Sequence, residues 1–320
     1  MNSMTRGGAA ALVGTLAVTG LAPLVWGSTY AVTTEFLPDD RPMFTALMRA
    51  LPAGLLLLAI TRKLPHGEWV WKAGALGVLN IGAFFPLLFL AAYRLPGGIA
   101  GVLGAAAPLI ALGFATVALN EKVTTRKLVA GIIGMFGVAL VVLRASAALD
   151  TVGVIAGLLG AASMAGGTIL TKRWGRPEGV GPLALTGWQL TAGGLMLLPL
   201  ALLIEGAPPA LDATAIGGYL YLGLIGTAAA YAIWFRGLAK ANATSVAFLG
   251  LLSPLSAAVI GWIALGQALT PLQMLGMAIA LGGTLLGQTG AAPKPAPEPA
   301  KRVVEVGEVR LMAAATRTAA

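Results

Sequence analysis

Cysteine is absent from this 320-residue chain, and histidine occurs only once. Without cysteine there can be no disulfide framework, thiolate nucleophile, iron–sulfur cluster or Cys-ligated zinc. The single histidine, His66, stands between Pro65 and Gly67 beside charged residues, where we expect a solvated loop side chain. Because metal sites need several convergent ligands, the sequence predicts neither a metal nor another cofactor.

Charge is also scarce. Charged residues make up 10% of the chain and hydrophobic residues 58%, whereas about a quarter of an ordinary soluble domain is charged. So few charges could not cover the surface of a water-soluble fold of this length. The net charge of +9 does not indicate nucleic acid binding, because the charges cluster at the ends of apolar segments, as membrane topology requires.

Long apolar runs dominate the rest of the sequence, and each is long enough to cross a hydrocarbon core as a helix of about 20 residues. The predicted spans are 11–32, 43–60, 73–93, 98–119, 127–143, 152–171, 183–204, 217–237, 246–265 and 272–289. The first run lacks a convincing cleavage site and precedes nine more, so we interpret it as an uncleaved helix. The predicted fold class is an all-α membrane protein with about ten transmembrane helices.

The Lys and Arg residues predict the orientation of these spans. If the N-terminus is cytoplasmic, the external loops hold only Arg41, Arg94 and Arg144, and Arg49 lies within a span. By the positive-inside rule, we expect a multi-pass protein of the cell inner membrane, surrounded by lipid, with both termini in the cytoplasm. The Ala- and Pro-rich stretch 290–320 predicts a disordered cytoplasmic tail, of which 301–312 could form a short helix on binding a partner.

The two halves of the chain are related to each other. An offset of 146 pairs Gly77 with Gly223 and Pro108 with Pro254, and an offset of 140 pairs the second span with the seventh. The predicted repeats are 11–143 and 152–289. Because each repeat has five spans, the second enters the membrane with the opposite orientation, which is how many secondary transporters are built.

Short motifs resemble one family. They are Trp26-Gly27-Ser28-Thr29, Arg49, the run Pro108, Leu119, Asn120, Glu121 and Thr124, and its second copy Pro254, Leu265, Gly266, Gln267 and Thr270. Their order and spacing resemble the EamA branch of the drug/metabolite transporter superfamily over residues 10–289. The resemblance implies a ten-helix permease, commonly an exporter of metabolites, amino acids or toxic compounds. Gln267 departs from the pattern, since the family often has Glu there.

Arg49 is the one ionisable residue well inside a predicted span. Burying arginine in a membrane is costly unless it faces a cavity or a partner. One interpretation is that Arg49 holds an anionic group of the solute. The other is that it ties helices together through backbone carbonyls or reaches an interface.

Aromatic residues recur on spans that should face the interior, and amide side chains accompany them. The predicted solute-binding residues, besides Arg49, are Trp26, Tyr30, Asn80, Phe84, Trp188, Gln189, Tyr231 and Trp234. Such residues suit a mostly apolar cavity with few hydrogen-bonding groups. Packing or an interfacial aromatic belt is the alternative for each of them.

Three further residues are candidates for hinges or gates. Pro108 and Pro254 occupy the same place in opposite halves, where proline loosens a helix, although shared descent of the repeats would explain them equally. Glu121 either caps the next helix, since a carboxylate favours its N-terminal end, or contributes to a gate.

These observations predict a secondary permease that exports a small organic solute by alternating access between two states. No phosphate-binding Gly-rich loop is present, no Asp or Glu lies deep in a span, and no clustered catalytic groups are found. The alternatives are an exporter of cationic drugs, against which Arg49 and the lack of a buried carboxylate count, and a membrane-embedded enzyme or scaffold. Monomer and homodimer both remain open.

Overall fold

The computed structural model describes residues 2–38, 41–94, 103–142, 150–266 and 270–288, except for the side chains of 2–9, 30, 34, 92, 93, 142 and 265. All regular elements in these ranges are helical. The predicted tail 290–320, Gln267 and the side chain of Tyr30 therefore lie outside the described residues.

Thirteen α-helices and two π-helical segments make up the described part of the chain. They are α1 (Asn2–Phe36), α2 (Pro42–Thr61), α3 (Trp69–Gly77), π1 (Val78–Gly82), α4 (Phe84–Arg94), α5 (Ala107–Leu119), α6 (Thr125–Val142), α7 (Thr151–Trp174), α8 (Pro182–Ile204), α9 (Ala213–Leu220), π2 (Tyr221–Ala229), α10 (Ala230–Lys240), α11 (Ala243–Leu249), α12 (Leu252–Leu265) and α13 (Pro271–Gln288).

The outer surface of this bundle is apolar. Val117, Leu203 and Ile263 are 85%, 83% and 73% exposed, which would be unfavourable in water. Seven stretches in the described residues are long and apolar enough to cross a membrane, and α5 is a shorter apolar helix. With its backbone groups paired inside helices, this surface suits contact with hydrocarbon, and the chain is a multi-pass membrane protein.

The helix bounds differ from the sequence-based ones. α1 covers Asn2–Phe36, against the predicted 11–32, and the predicted third span 73–93 covers the end of α3, all of π1 and most of α4. The predicted ninth span 246–265 is two helices, because the chain turns at Gly250 and Leu251 between α11 and α12. Hydropathy detects an apolar run but not a local change of helix type within it.

Glycines allow the closest helix contacts. α2 lies against α8, and a Cβ atom built on Gly54 would come within 2.5 Å of the Thr191 backbone nitrogen. In the contact between α6 and α13, a Cβ on Gly283 would lie 2.6 Å from the Gly134 nitrogen. Small residues of this kind let membrane helices approach through their backbones.

Several helix contacts occur twice, and in the second copy the equivalent helices of the two halves have changed places. α1 packs on α12 as α7 packs on α5, and α1 packs on α10 as α7 packs on α4. In the same way α2 contacts π2 while α8 contacts π1. We call the contact of α2 and α8, flanked by π1 and π2, the central seam.

Both halves also share two irregularities. With an offset of 146, π1 falls on residues 224–228, inside π2. Helical residues 103–104 give way to a turn before α5, just as α11 gives way to a turn before α12. Pro108 and Pro254 lie in the first turns of α5 and α12, where a missing backbone N–H costs little.

Candidate functional site

Arg49 lies in the central seam. It follows Pro42, at the start of α2, by seven residues, or about 10 Å along the helix axis, and it is 3% exposed. Its Nε donates a hydrogen bond to Thr227 Oγ1 of π2 at 3.3 Å, and its guanidinium carbon lies 4.5 Å from the ring centre of Phe85 in α4. Arg49 thus joins α2, α4 and π2 by a hydrogen bond and a cation–π contact.

Beside Arg49 is a group of rings that we call the aromatic cluster. Its members are Trp26 of α1, Phe85 of α4, and Tyr231, Trp234 and Phe235 of α10. The Trp26 ring lies 5.0 Å from Tyr231 and 5.2 Å from Trp234, and Phe85 lies 6.4 Å from Tyr231. Phe84 packs against Phe85 at 5.6 Å. The predicted Trp26, Phe84, Tyr231 and Trp234 are therefore brought together with Arg49.

Asn80 and Gln189 form a buried amide pair across the central seam. Asn80 Nδ2 donates to Gln189 Oε1 at 2.7 Å and to Thr171 Oγ1 at 3.3 Å. Both amides are 0% exposed. The backbone of α7 comes close at Gly167, where a Cβ atom would lie 2.3 Å from Asn80 Oδ1.

The Arg49–Thr227 pair and the amide pair each join the halves, and Gln189 of the amide pair has the position in α8 that Arg49 has in α2. Gln189 follows Pro182 at the start of α8 by seven residues, as Arg49 follows Pro42. Asn80 is in π1 and Thr227 is in π2. Positions 49 and 189 are therefore equivalent along their helices but differ in chemistry, since one carries a positive charge and the other a neutral amide.

Several polar atoms at this site have no hydrogen-bond partner within the described residues. They are Asn80 Oδ1, Gln189 Nε2 and Trp234 Nε1, all buried. A buried donor or acceptor without a partner costs about 1–3 kcal/mol. Trp234 Nε1 belongs to the aromatic cluster, whereas Asn80 Oδ1 and Gln189 Nε2 belong to the amide pair.

One end of the molecule is closed by a polar network between the two halves. Thr244 Oγ1, at the start of α11, donates to Glu121 Oε2 at 2.8 Å, and Lys127 Nζ of α6 donates to Thr244 Oγ1 at 2.6 Å. Lys127 and Glu121 also form an ion pair at 3.4 Å. Because Lys63, Lys172 and many other Lys and Arg residues lie at this end, we call it the basic end.

The opposite end is closed by a different contact. Glu205, which follows α8, accepts hydrogen bonds from the Met43 and Phe44 backbone N–H groups at 2.6 and 2.9 Å. A carboxylate is favoured at these amides because the N-terminus of a helix carries partial positive charge. The Phe44 ring meets Tyr219 edge-on at 5.8 Å. In the described residues, no group of three or more His, Asp or Glu could hold a metal ion.

Trp188 lies apart from the other predicted residues. Its Nε1 donates to the backbone oxygen of Lys63 at 2.7 Å, and its ring lies 6.1 Å from Trp69 at the basic end. It is 2% exposed and packs away from the aromatic cluster. Trp188 is therefore not part of the site, and the side chain of Tyr30 lies outside the described residues.

Sequence reasoning missed Thr227, Phe235, Thr244 and Glu205. Thr227 aligns with Ile81, the neighbour of Asn80, at the offset of 146, and this pairing could have drawn attention to it. Glu205 directly follows an apolar run, which is the usual place for a charge at a membrane boundary. No local pattern distinguishes Thr244 from other threonines, because its partners lie over a hundred positions away.

Comparison with known proteins connects this arrangement to a family. A sequence model described as the EamA-like transporter family matches twice, at residues 14–143 and 151–287. The chain is 43% identical to "Protein PecM" of Dickeya dadantii (strain 3937) over 267 residues, which covers 83% of this chain and 90% of that protein.

More distant relatives carry transporter names. The "Uncharacterized inner membrane transporter YedA" of Escherichia coli (strain K12) is 30% identical over 279 residues, 83% of this chain and 88% of that protein. The "Uncharacterized transporter YwfM" of Bacillus subtilis (strain 168) is 28% identical over 279 residues, 86% of this chain and 93% of that protein.

A solved crystal structure has the same fold, with a TM-score of 0.74 at 17% identity, over 86% of this chain and 98% of the other. The family match extends over most of the chain and includes the motifs at Trp26, Arg49 and Glu121. The predicted membership of the EamA branch of the drug/metabolite transporter superfamily is thus confirmed, and the protein is a membrane transporter that belongs to the EamA-like transporter family.

Proposed function

We propose that the chain is a secondary transporter with two inverted five-helix repeats that carries a small amphipathic organic solute through the central seam. The exchange of helix contacts between the halves supports the repeats, as does the double family match at residues 14–143 and 151–287. A site between two oppositely oriented repeats can face either side of the membrane in turn.

The observation that carries this proposal is the position of Arg49. A cation is buried at 3% exposure between the halves and contacts Phe85 of the aromatic cluster, in which Trp234 Nε1 has no partner among the described residues. Rings and a few polar groups suit a solute with an apolar body. The guanidinium adds attraction for an anionic group of that solute, because charge interactions are strong away from water.

Alternating access follows from the different contacts at the two ends. The Glu121–Thr244–Lys127 network holds the halves together at the basic end, and the Glu205 contact with α2 does so at the opposite end. We propose that these contacts break in turn, with the helix breaks before Pro108 and Pro254 as the places where the chain bends. The basic end faces the cytoplasm of the inner membrane, and the direction of transport is export.

Transport by purified protein in proteoliposomes tests the proposal. Benzenesulfonate and phenyltrimethylammonium are suitable probes, since they share an aromatic body and carry opposite fixed charges. We expect transport of benzenesulfonate, and we expect Arg49→Gln to reduce it about tenfold or more, since a hydrogen bond to a charged group contributes about 1.5–3 kcal/mol. Arg236→Gln is the matched control, because Arg236 is an exposed cation of α10.

Two results would contradict the proposal. If folded Arg49→Gln moved benzenesulfonate at the rate of the unmodified protein, Arg49 would serve to tie helices together. If phenyltrimethylammonium were the transported probe, the protein would be an exporter of cations. Thermal unfolding of each variant separates these results from simple misfolding.

A further inference from the structure

A cavity of about 370 Å³ opens at the basic end, apart from Arg49. It lies between the end of α7, the loop that leads to α8, and the end of α10. The side chains that matter here are Thr171, Lys172, Arg176, Leu185, Phe235 and Leu238. Binding sites for small molecules have volumes of about 300–1,000 Å³, so the cavity could hold a small organic molecule.

The wall of this cavity is positively charged. Lys172 Nζ donates to the Leu238 and Ala239 backbone oxygens at 2.8 and 3.3 Å, and Arg176 Nη1 donates to the Val180 oxygen at 3.3 Å. These carbonyls hold the two side chains in place but carry no net charge. No Asp or Glu is among the described residues that line the cavity.

Charged residues just outside the lining change the electrostatic potential in the cavity, but the potential stays positive. Glu121 lies close enough to attract the Lys172 ammonium, but it is also paired with Lys127. Glu178 is an exposed residue of the loop between α7 and α8. Lys63 Nζ donates to the Gly179 oxygen at the rim and brings a third cation to the cavity.

The inner wall of the cavity adjoins the site in the central seam. Thr171, Leu185, Phe235 and Leu238 are all buried. Phe235 lies 5.8 Å from Tyr231 of the aromatic cluster, and Thr171 Oγ1 accepts a hydrogen bond from Asn80. Phe235 and Thr171 therefore stand between the cavity and the proposed solute site in the central seam.

We propose that this cavity binds the anionic group of a small organic solute at the basic end, next to the proposed solute site in the central seam. The inference rests on the proposed function, since it makes the cavity the place where the same solute enters or leaves. Lys172 and Arg176 attract a carboxylate, sulfonate or phosphate, and the buried apolar wall takes the rest of the molecule. A positively charged cleft raises the local concentration of anions in this way.

The absence of cysteine from the chain provides a direct test. In Ala239→Cys, a single thiol stands at the exposed edge of the cavity. We expect it to react about tenfold faster with sulfonatoethyl methanethiosulfonate than with the trimethylammonioethyl reagent, after correction with a free thiol. Benzenesulfonate should slow the labelling, and added salt should remove the preference because it screens the charges.

Two variants and one control assign the effect to the proposed residues. Lys172→Gln and Arg176→Gln, each combined with Ala239→Cys, should lower the ratio of the two rates severalfold. Arg173→Gln removes an equal charge from an exposed neighbour that does not line the cavity, so it should leave the ratio unchanged. Arg176 is exposed, so its variant remains informative if Lys172→Gln fails to fold.

The outcomes separate this inference from its alternatives. A rate ratio that Arg173→Gln lowers as much as Arg176→Gln, or no protection by benzenesulfonate, would overturn it. Nanodiscs of phosphatidylcholine, with or without phosphatidylglycerol, provide a further comparison. Protection by phosphatidylglycerol alone would mean that the cavity holds a lipid headgroup, and would equally overturn the inference. The protein could prefer the sulfonate reagent and be protected by benzenesulfonate, yet transport nothing in proteoliposomes. This result would overturn the proposed function but not the anion site.

Discussion

At the scale of single residues, Asn80 shows how tightly the site is constrained. Its amide donates to both Gln189 and Thr171, and its oxygen faces Gly167 of α7. Any side chain at position 167 would have to displace this amide, and a displaced Asn80 would lose its hydrogen bonds in a place without solvent. The absence of a side chain at Gly167 is therefore a requirement of the amide pair.

Gly167→Ala should disturb the site, whereas its neighbour Gly166→Ala should not. A Cβ at position 167 would lie 2.3 Å from Asn80 Oδ1, while at position 166 the nearest atom, on Phe114, is at an ordinary 3.5 Å. We expect Gly167→Ala to lower the free energy of unfolding by about 1–3 kcal/mol, as overpacking does, and to reduce transport. Thermal unfolding in detergent and benzenesulfonate transport measure the two effects, and equal behaviour of the two variants would refute the prediction.

The role of a residue could be predicted from sequence only where its side chain is polar or charged within an apolar run. Arg49 is conspicuous as a cation in an apolar run, and Asn80 and Gln189 as amides. Thr227 is not conspicuous, because threonine is an ordinary residue in a membrane helix and its partner Arg49 is 178 positions away. The aromatic ring of Trp188 alone predicts a place in the site, but its position against Lys63 depends on tertiary contacts that its neighbours in sequence do not encode.

At the scale of helices, the contact of α6 with α13 depends on which glycines face it. A Cβ on Gly283 would lie 2.6 Å from the Gly134 nitrogen, whereas one on Gly282 would meet nothing within 4 Å. The two glycines are adjacent in α13 and point in different directions, because successive residues of a helix are about 100° apart.

Gly283→Leu should therefore separate α6 from α13, and Gly282→Leu should be tolerated. The first change forces the two backbones apart along a contact that lacks any space for a side chain, so we expect a loss of several kcal/mol in stability. The second adds an apolar group to an exposed face, where it would meet lipid. Yield of monodisperse protein and its unfolding temperature compare the two, and similar values would contradict the assigned contact.

Helix positions were largely predictable, and helix type was not. Apolar runs of about 20 residues locate the membrane helices because lipid imposes both their length and their composition. The π-helical segments Val78–Gly82 and Tyr221–Ala229 arise from one additional residue per turn, which leaves mean hydropathy unchanged. Mean hydropathy does not reveal the turn at Gly250 either, because the sequence around it is apolar.

At the scale of the whole molecule, the two ends are held by unlike contacts. The basic end has the side-chain network of Glu121, Thr244 and Lys127, and the opposite end has Glu205 bound to the backbone of α2. Since each contact joins the two halves, the balance between states facing either side should respond to a change at one end alone.

Thr244→Val should favour a state that is open at the basic end. It removes the hydroxyl between Glu121 and Lys127 while keeping the shape, at a cost of about 1–3 kcal/mol to the closed state, which shifts the populations by roughly tenfold. Spin labels at 122 and 240, both exposed at this end, should report a longer distance. Thr284→Val is the control, because the Thr284 hydroxyl bonds only to its own helix at Ala280. An unchanged distance distribution would show that the network does not hold the halves together.

The all-helical membrane fold and the transporter family could be predicted because they depend on regularities of the whole chain. The orientation predicted from the placement of charges and the two repeats predicted from the offset of 146 stay predictions. The closing contacts could not be predicted in this way, because Thr244 and Glu205 each depend on residues more than a hundred positions away.

Arg49 and Gln189 occupy equivalent positions of α2 and α8 but differ in charge, and this difference has a kinetic consequence. A solute with one acidic group would always bind with that group towards Arg49. Its acidic group would therefore enter the site first from one face of the bilayer and last from the other. Half-saturating concentrations should then differ between the two faces, with maximal rates that differ in the same proportion. In the absence of an energy source, the final concentration ratio still depends on the gradient alone, because microscopic reversibility allows asymmetric rates but no uphill accumulation.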